Sequence, residues 1–326
     1  MNSLELFKTQ KFYQIDISIL KDLGYDVLLS NRIFDSLLFW KYDILFSYFY
    51  RYSFFAALLA KCFGKKTYFT GGIDSLDSDY ASAFNYKIQA LFFKLCYWVA
   101  DSCIIVSQSD LKNIFKVSSL KKKLSYSEHV INTKLFIADV PKEKIFTSIV
   151  WMGDEGNVVR KGVDKALQIF AELKKIPEFV DYRFVIIGRK GEGEVLVRSI
   201  IDKYNLKGSV ELKGEVSEED KINLLKQSKY YFQLSLYEGF GLAALEALCA
   251  NNIIIHSGKG GLANPIYKEQ LLFDIDNDFD SELLKLVNKL ACFTPITSYD
   301  NLLEYYDIQR RKDDFEAIIV NGKSNY

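Results

Sequence analysis

The chain has 326 residues, 49% of them hydrophobic, which is enough for two domains with separate cores. Its 42 Lys and Arg residues balance 42 Asp and Glu residues, so no basic excess points to nucleic acid, and we exclude that partner class. No segment approaches the roughly 18 uncharged apolar residues of a membrane span, and the first residues lack the pattern of a secretion signal. We therefore expect a cytoplasmic protein.

The first part of the chain alternates helix-like and strand-like segments. In chain order we predict a helix over 13–23, strands over 26–29 and 43–48, a helix over 53–63, a strand over 66–69, a helix over 83–99 and a strand over 103–107. Such βα alternation is typical of a parallel sheet covered by helices.

A polar stretch around Pro141 separates this series from a second one, and we place the domain boundary there. The predicted domains are 1–140 and 141–300, each doubly wound and Rossmann-like. The tail, 301–326, is predicted to be helical and to pack back on the first domain. In such sheets, ligands bind where the strands end, so the glycine-bearing strand ends are the candidates for chemistry.

The most informative segment runs from Ser235 to Ala247 and reads SLYEGFGLAALEA. A strand ends there and a glycine loop opens a helix whose N-terminal N–H groups can bind a diphosphate. Glu238 and Glu246 enclose the loop. Taken singly, each is explained as well by the preference of acids for the first turn of a helix or by a place on the helix surface.

Taken together, the Glu-x7-Glu spacing around Gly239, Phe240, Gly241 and Leu242 resembles the signature of family 4 glycosyltransferases, the retaining group often called group 1. The resemblance implies an α/β GT-B fold, in which two Rossmann-like domains face a cleft. It also implies that Glu238 contacts the transferred sugar, that the backbone of Gly241 and Leu242 holds the diphosphate, and that Glu246 binds the ribose.

Other segments are similar to the family in the same order. Arg160-Lys161-Gly162-Val163-Asp164 is similar to its Lys-Gly-x-Asp element, which implies that Lys161 stabilises the leaving group, and Gly188 ends a family-like strand. The family has Gly-Arg where this chain has Gly153-Asp154. We expect Arg160, or in second place Arg189, to supply the missing phosphate charge.

The first domain matches the family less closely. Where the family often has a histidine, this chain has Gly71, Gly72 and Asp74, which we take as acceptor-side candidates, although a plain turn explains them equally well. The family's first strand would precede the predicted helix at Tyr13, where Leu4-Glu5-Leu6-Phe7 is a poor substitute, so we expect either that the true start lies upstream or that this strand is missing. Neither His129 nor His256 belongs to a pattern that binds metal, and we predict no metal site.

The resemblance implies a metal-independent hexosyltransferase that uses a UDP- or GDP-sugar as substrate, needs no cofactor, and glycosylates a glycan or lipid-linked acceptor in surface polysaccharide or glycoconjugate synthesis. Residues 1–140 carry 17 Lys and Arg against 13 Asp and Glu. This basic, aromatic-rich half suits peripheral contact with the inner face of a membrane, but a charge distribution without consequence explains it too. Two alternatives remain: a GT-B nucleotide-sugar epimerase or hydrolase, and a non-catalytic partner protein that binds the donor.

Overall fold

A computed structural model describes residues 3–137, 140–293 and 300–323 of the chain. Within these residues the strands are β1 Ile44–Tyr48, β2 Lys66–Thr70, β3 Ser102–Ile105, β4 Leu124–Tyr126, β5 Glu143–Ile149, β6 Arg183–Ile187, β7 Val210–Gly214, β8 Ser228–Gln233, β9 Ile253–His256 and β10 Leu271–Leu272. The α-helices are α1 Ser3–Thr9, α2 Lys11–Asp22, α3 Tyr50–Cys62, α4 Ala83–Val99, α5 Gln108–Val117, α6 Glu155–Arg160, α7 Val163–Leu173, α8 Glu194–Lys203, α9 Glu218–Gln227, α10 Leu242–Cys249, α11 Phe279–Cys292, α12 Asp300–Tyr305 and α13 Ile308–Phe315.

The chain divides into two compact units that are not both continuous in sequence. Unit 1 consists of Met1–Asn132 and Glu304–Tyr326, and unit 2 consists of Thr133–Leu303. Each unit is built on one parallel sheet with helices on its faces. In the part of the chain that the structure describes, no helix is long and apolar enough to cross a membrane.

Unit 1 has a four-stranded sheet in the order β1-β2-β3-β4, with helices on both faces. Neighbouring residues on β2 point to opposite faces, as the period of a strand requires. Phe69 lies in the core formed with α3, α4 and α5. Tyr68 lies in a second core, formed with α2 and the end of the chain.

The end of the chain is tied into unit 1 by a buried ion pair. The Arg311 guanidinium in α13 donates to both carboxylate oxygens of Asp16 in α2, at 2.6 and 2.9 Å. It also donates to the carbonyl oxygens of Ser127 and Glu128, at 2.5 and 3.0 Å. Both charged side chains are 0–1% exposed, so residues 295 positions apart meet away from water.

Unit 2 has a six-stranded parallel sheet in the order β10-β9-β8-β5-β6-β7. One face is covered by a large apolar core that includes Phe146 of β5, Phe170 of α7 and Leu286 of α11. The other face carries a smaller cluster that includes Ile145, Val185 and the Leu224 side chain of α9. The strands β5 and β8 lie at the centre of this sheet. Because all the strands are parallel, their carboxyl ends lie along one edge of the sheet, and those of β5 and β8 lie in the middle of it.

The start of unit 1 differs from the sequence prediction. The strand predicted over 26–29 is wrong: these residues form neither a helix nor a strand, and the first strand of the described chain begins at Ile44. The sequence of Leu4–Phe7 matches the family's first strand poorly, and these residues lie in helix α1. Between residues 3 and 43, the structure holds helices and loops only.

Candidate functional site

Several strands of unit 2 end side by side, and the loops that follow them pack directly on one another. The Leu236 N–H, after β8, donates to the carbonyl oxygen of Arg160 at 2.8 Å. The Gly261 N–H, after β9, donates to the carbonyl oxygen of Glu238 at 2.6 Å. This is the sheet edge at which doubly wound domains bind ligands, so the predicted donor residues of unit 2 gather where the fold favours a site.

Three glycines let these loops approach so closely. Each has a positive φ and a carbonyl oxygen where a Cβ atom would stand. The distance from that Cβ position is 2.0 Å to Leu234 O for Gly162, 1.9 Å to Val150 O for Gly188 and 2.2 Å to Glu238 O for Gly260. Any side chain at these positions would push the loops apart. Gly188, a predicted donor contact, therefore has a packing role of its own.

Glu238 and Lys161 meet at this edge, although 77 positions separate them in the sequence. The Lys161 Nζ donates to Glu238 Oε1 at 2.6 Å. The same oxygen accepts from Gln233 Nε2 at 2.8 Å and from Ser235 Oγ at 2.7 Å. The two charged side chains are 22% and 11% exposed, so the pair is largely but not wholly withdrawn from water. Three donors fix Oε1 of the carboxylate, and Oε2 is the oxygen that can accept hydrogen bonds from a ligand.

A buried chain of hydrogen bonds orients the Gln233 amide behind Glu238. The Tyr231 hydroxyl accepts from the Ile149 N–H at 3.3 Å, so its proton is directed to Gln233 Oε1 at 3.1 Å. With Oε1 occupied in this way, Nε2 faces Glu238 and Ser235. Burial raises the pKa of Tyr231 well above its usual range, and the hydroxyl keeps its proton. Neither Gln233 nor Ser235 was singled out from the sequence, because neither carries a motif of its own.

The glycine loop leads into α10 as the sequence predicted. Gly241 has φ 88°, in the left-handed region, and precedes the first helical residue, Leu242. Phe240 is buried, while Gly239 and Leu242 are half-buried. The N–H groups of the first turn of a helix have no partner inside the helix, and they are the groups that could bind a diphosphate.

Glu246 is buried and bound by a lysine that the sequence analysis did not identify. Lys221 Nζ in α9 donates to both carboxylate oxygens of Glu246, at 2.8 and 2.7 Å, and also lies 3.0 Å from Glu218. The interpretation of Glu246 as a surface helix residue is therefore wrong, since its side chain is 8% exposed. The pairing could not be found from spacing, because 25 positions separate the two residues.

The two arginines predicted to replace the missing phosphate cation differ in placement. The Arg160 guanidinium is half-buried and donates to Asn157 Oδ1 at 2.7 Å. Arg189 lies just after β6 with its side chain exposed. Asp154, which stands where the family has Arg, caps helix α6 by accepting from the Asn157 N–H at 2.6 Å. This position therefore serves local structure here.

The acceptor-side candidates lie in unit 1, after β2. Gly71 has φ 101° and packs against the Phe49 ring, Gly72 is half-buried, and exposed Asp74 starts a short 3-10 helix. Under this loop lies Asp110, in the first turn of α5, whose Oδ1 accepts from the Ile73 N–H at 3.4 Å. Burial, with the nearby charge of Asp74, raises the Asp110 pKa to about 8.

Both histidines of the chain are buried, His129 in unit 1 and His256 at the end of β9. Burial lowers the pKa of His256 to about 4, so its ring is neutral at pH 7. Among the described residues, no group of three or more His, Cys, Asp or Glu side chains is arranged to hold a metal ion.

Part of the chain matches a known family. Residues 156–290 match the model of the family "Glycosyl transferases group 1". A GDP-mannose:cellobiosyl-diphosphopolyprenol alpha-mannosyltransferase of Xanthomonas oryzae pv. oryzae is 32% identical over 163 residues, which are 44% of this chain and 40% of that protein. A human phosphatidylinositol N-acetylglucosaminyltransferase protein is 30% identical over 32% of this chain and 21% of its own length. The chain thus spans less than half the length of these two relatives.

Solved structures resemble both units at low identity. HepE from Anabaena, in complex with UDP-glucose, has a TM-score of 0.70 at 12% identity, covering 94% of this chain and 88% of that one. TarM from S. aureus has a TM-score of 0.58 at 18% identity, covering 82% of this chain and 50% of that one. At such identities the likeness shows the fold. The chain has the predicted GT-B fold of two parallel α/β units, and its residues 156–290 match the group 1 glycosyl transferases.

Proposed function

We propose that the chain is a metal-independent, retaining glycosyltransferase of family 4 that transfers a hexose from a UDP- or GDP-sugar to a glycan or lipid-linked acceptor. The observation that carries the proposal is the Lys161–Glu238 pair at the carboxyl edge of the unit 2 sheet, with Nζ and Oε1 2.6 Å apart. A cation and a carboxylate held this closely suit a donor whose leaving group is anionic and whose sugar is rich in hydroxyl groups.

In this proposal, Lys161 turns from Glu238 to the diphosphate when the donor binds. Its charge then offsets the negative charge that develops on the departing nucleotide, which is the role a metal ion has in other enzymes. The N-terminus of α10 supports the same phosphates. Arg160 adds a second cation, and it ranks above Arg189 because it is already held half-buried beside α6.

Glu238 has a positioning role toward the sugar. Oε1 is fixed by Gln233 and Ser235, so Oε2 can accept hydrogen bonds from sugar hydroxyls beside the reacting carbon. Glu246, already ordered by Lys221, takes the two ribose hydroxyls. A retaining glycosidase needs two carboxylates about 5 Å apart, one of them a nucleophile. Among the described residues at this edge, we assign one carboxylate, that of Glu238, to the sugar.

The reaction we propose needs no covalent intermediate with the protein. The bond between the anomeric carbon and the diphosphate oxygen breaks, and its electron pair leaves with the nucleoside diphosphate. The acceptor oxygen bonds to the same face of the sugar, and its proton passes to the departing phosphate oxygen. The anomeric configuration is thereby retained, and no cofactor takes part.

The names of the relatives support the acceptor class that we propose. The Xanthomonas relative is named for a diphosphopolyprenol acceptor, and the human relative for phosphatidylinositol. We therefore propose a role in surface polysaccharide or glycoconjugate synthesis, in the cytoplasm, with peripheral contact between unit 1 and the membrane.

The proposal is tested first by nucleotide binding, measured by thermal unfolding with UDP, GDP or ADP, each with and without EDTA. A ligand at 100 times its Kd stabilises a protein by about 2.7 kcal/mol, so one nucleotide should raise the unfolding temperature clearly. Lys161→Met should remove the shift, while Lys175→Met, an exposed lysine on the end of the following helix, should keep it.

Turnover is measured next, with the sugar derivatives of the nucleotide that binds. We expect Lys161→Met to lower kcat by about 10²–10³-fold, the usual cost of losing one group that stabilises developing charge. The product anomer, read by NMR, should match that of the donor. An inverted product, free sugar as the main product, or binding without any transfer would each contradict the proposal.

A further inference from the structure

The outward side of α4 in unit 1 carries large apolar residues and lysines in a single line, here called the α4 face. Phe84, Leu91 and Trp98 are 71%, 55% and 71% exposed, and exposed Lys87 and Lys94 lie between them. Steps of three and four residues place all five on one side of a helix. The α4 face therefore alternates apolar and positively charged groups along the whole helix.

This face is unlike the solvated side of an ordinary surface helix. The inward side of α4 already supplies Phe93, Cys96 and Tyr97 to the unit 1 core. A helix with one buried face normally turns polar and charged residues of both signs to water. Three large apolar side chains in line on the outer side instead indicate a surface that a binding partner covers when the protein functions.

The charged residues within α3 and α4 all have one sign. Neither α4 nor α3, which packs beside it, contains an Asp or Glu residue. The helix α3 also exposes Tyr52 and Phe55, at 76% and 54%, together with Arg51. Both helices cover the same face of the sheet, since both contribute to the same core. Their outer sides therefore form one apolar and basic surface.

The two ends of α4 differ in charge. At the C-terminal end, Lys123 Nζ donates to the Trp98 carbonyl oxygen at 2.9 Å, so the run 121–123 adds positive charge there. Asp101 follows the helix, but Lys61 Nζ binds it at 2.8 Å. Before the helix, the Asp77 carboxylate accepts from backbone N–H groups of its own turn, and Asp79 is exposed. The positive charge of the surface therefore lies along α4 and at its C-terminal end.

We infer that the α4 face docks unit 1 on an anionic lipid bilayer, with the helix lying in the headgroup region. Aromatic side chains settle at that depth, and lysines on either side reach anionic headgroups while their stems cover apolar surface. The inner side of α4 is packed in the unit 1 core, and the helix is not long and apolar enough to cross a membrane, so α4 would lie on the bilayer rather than span it. The inference rests on the proposed membrane contact and gives it a surface and a lipid class.

The test is co-sedimentation of the full chain with vesicles of phosphatidylcholine alone or mixed with phosphatidylglycerol. We expect binding to the mixed vesicles that weakens as salt rises. Replacing Lys87 and Lys94 with Gln should lower the partition coefficient roughly 30-fold and flatten the salt dependence, because each lysine near an anionic surface contributes about one factor of five. Phe84→Ser with Trp98→Ser should abolish binding even at low salt.

The depth of the α4 face in the bilayer is measured from the fluorescence of Trp98. In a chain carrying Trp40→Phe and Trp151→Phe, brominated lipid in the mixed vesicles should quench the remaining fluorescence. The matched control, Leu284→Ser with Lys289→Gln, changes an exposed apolar residue and an exposed lysine on α11 of unit 2 and should bind vesicles like the parent chain. Thermal unfolding checks that every variant is folded.

Three outcomes would overturn the inference: no binding to mixed vesicles, equal binding by parent and α4-face variants, or a dimer that the Phe84 and Trp98 substitutions dissociate. The last would assign the face to a second copy of the chain. Vesicle binding and nucleotide binding are separate readouts. A chain that binds vesicles but no nucleotide would contradict the proposed enzyme only, and the reverse would contradict only the membrane surface.

Discussion

Glu238 shows how much of a site can rest on residues that carry no motif. Its Oε1 accepts from Lys161, Gln233 and Ser235, and Gln233 is held in turn by the Tyr231 hydroxyl. Lys161 and Glu238 could be proposed from the sequence, because glycine-rich segments mark both of them. Gln233, the last residue of β8, and Ser235, just after the strand, could not, because only the fold brings them to Glu238.

The Tyr231–Gln233 hydrogen bond should be measurable as a coupling free energy. Both side chains are buried, so Gln233→Leu leaves the Tyr231 hydroxyl without its acceptor and should cost about 1–3 kcal/mol in the free energy of unfolding. Tyr231→Phe should cost a similar amount. The double variant should lose less than the sum of the two, and urea unfolding of all four proteins gives the difference. Additive losses would mean that the two groups act independently.

Asp110 predicts a pH dependence of stability in unit 1. Its pKa is raised from 3.8 to about 8 by burial and by Asp74, so the folded chain keeps a proton that the unfolded chain releases between these pH values. Stability contributed by this group is therefore lost as pH rises from about 4 to 8. Asp110→Asn mimics the protonated acid and should remove this loss, raising the unfolding temperature relative to the parent more at pH 8 than at pH 5.

Thermal unfolding across pH 5–8 measures the effect, at roughly 2–4 °C per kcal/mol for a chain of this size. Asp79→Asn, an exposed residue of the same segment, is the control and should follow the parent chain. Parallel curves for the parent and Asp110→Asn would show that the Asp110 carboxyl group is ionised throughout.

At the scale of elements, the loops at the unit 2 sheet edge depend on glycines with no room for a side chain. Gly188→Ala brings a Cβ atom to 1.9 Å from Val150 O, whereas Gly208→Ala meets nothing within 4 Å. Both glycines have positive φ, so both variants bear the strain of an L-residue there, about 1–2 kcal/mol. Overpacking should add about 1–3 kcal/mol at Gly188 alone. Denaturant unfolding measures the free energy of unfolding of both variants. Equal losses would contradict the prediction that a Cβ atom at position 188 is overpacked.

Most elements could be predicted because period and composition agree in them. The buried strands around Phe69, Ile104 and Val185 are short apolar runs bounded by polar turns, and α7 shows a clear helical period. The segment 26–29 misled for the same reason: Val27, Leu28 and Leu29 make an apolar run, but no neighbouring strand pairs with it. A strand is completed by its partner, and a single sequence does not show the partner.

At the scale of the whole molecule, the Arg311–Asp16 pair should control the stability of unit 1. Arg311→Met leaves the Asp16 charge buried without its partner, which should cost about 3–5 kcal/mol. Arg310→Met, on the same helix but paired at 20% exposure, should cost about 1 kcal/mol or less. Calorimetry with and without the bound nucleotide separates the unfolding of unit 1 from that of unit 2, because the nucleotide should still stabilise unit 2 in both variants. A small loss for Arg311→Met would contradict the prediction.

Sequence reasoning could propose that the tail is helical and packs back on the first domain, but not which residues make the contact. Arg311 looks like one basic residue among several in the segment IQRRKDDF. Only the fold shows that it is fully buried while its neighbour Arg310 is not. Pairing over such a distance leaves no periodic trace, which is why the pairing of Lys221 with Glu246 escaped prediction as well.

The division of unit 1 into two stretches of sequence sets an order of events during synthesis. The chain leaves unit 1 after Asn132 and returns at Glu304, so every residue of unit 2 is translated before the tail. At about 5–20 residues per second, unit 2 has time to fold while one core of unit 1 still lacks Phe315, Ile318 and Ile319. The part of the protein that is made first is thus finished last, and until the ribosome reaches the tail, its sheet exposes an apolar face on which chaperones or other nascent chains can act.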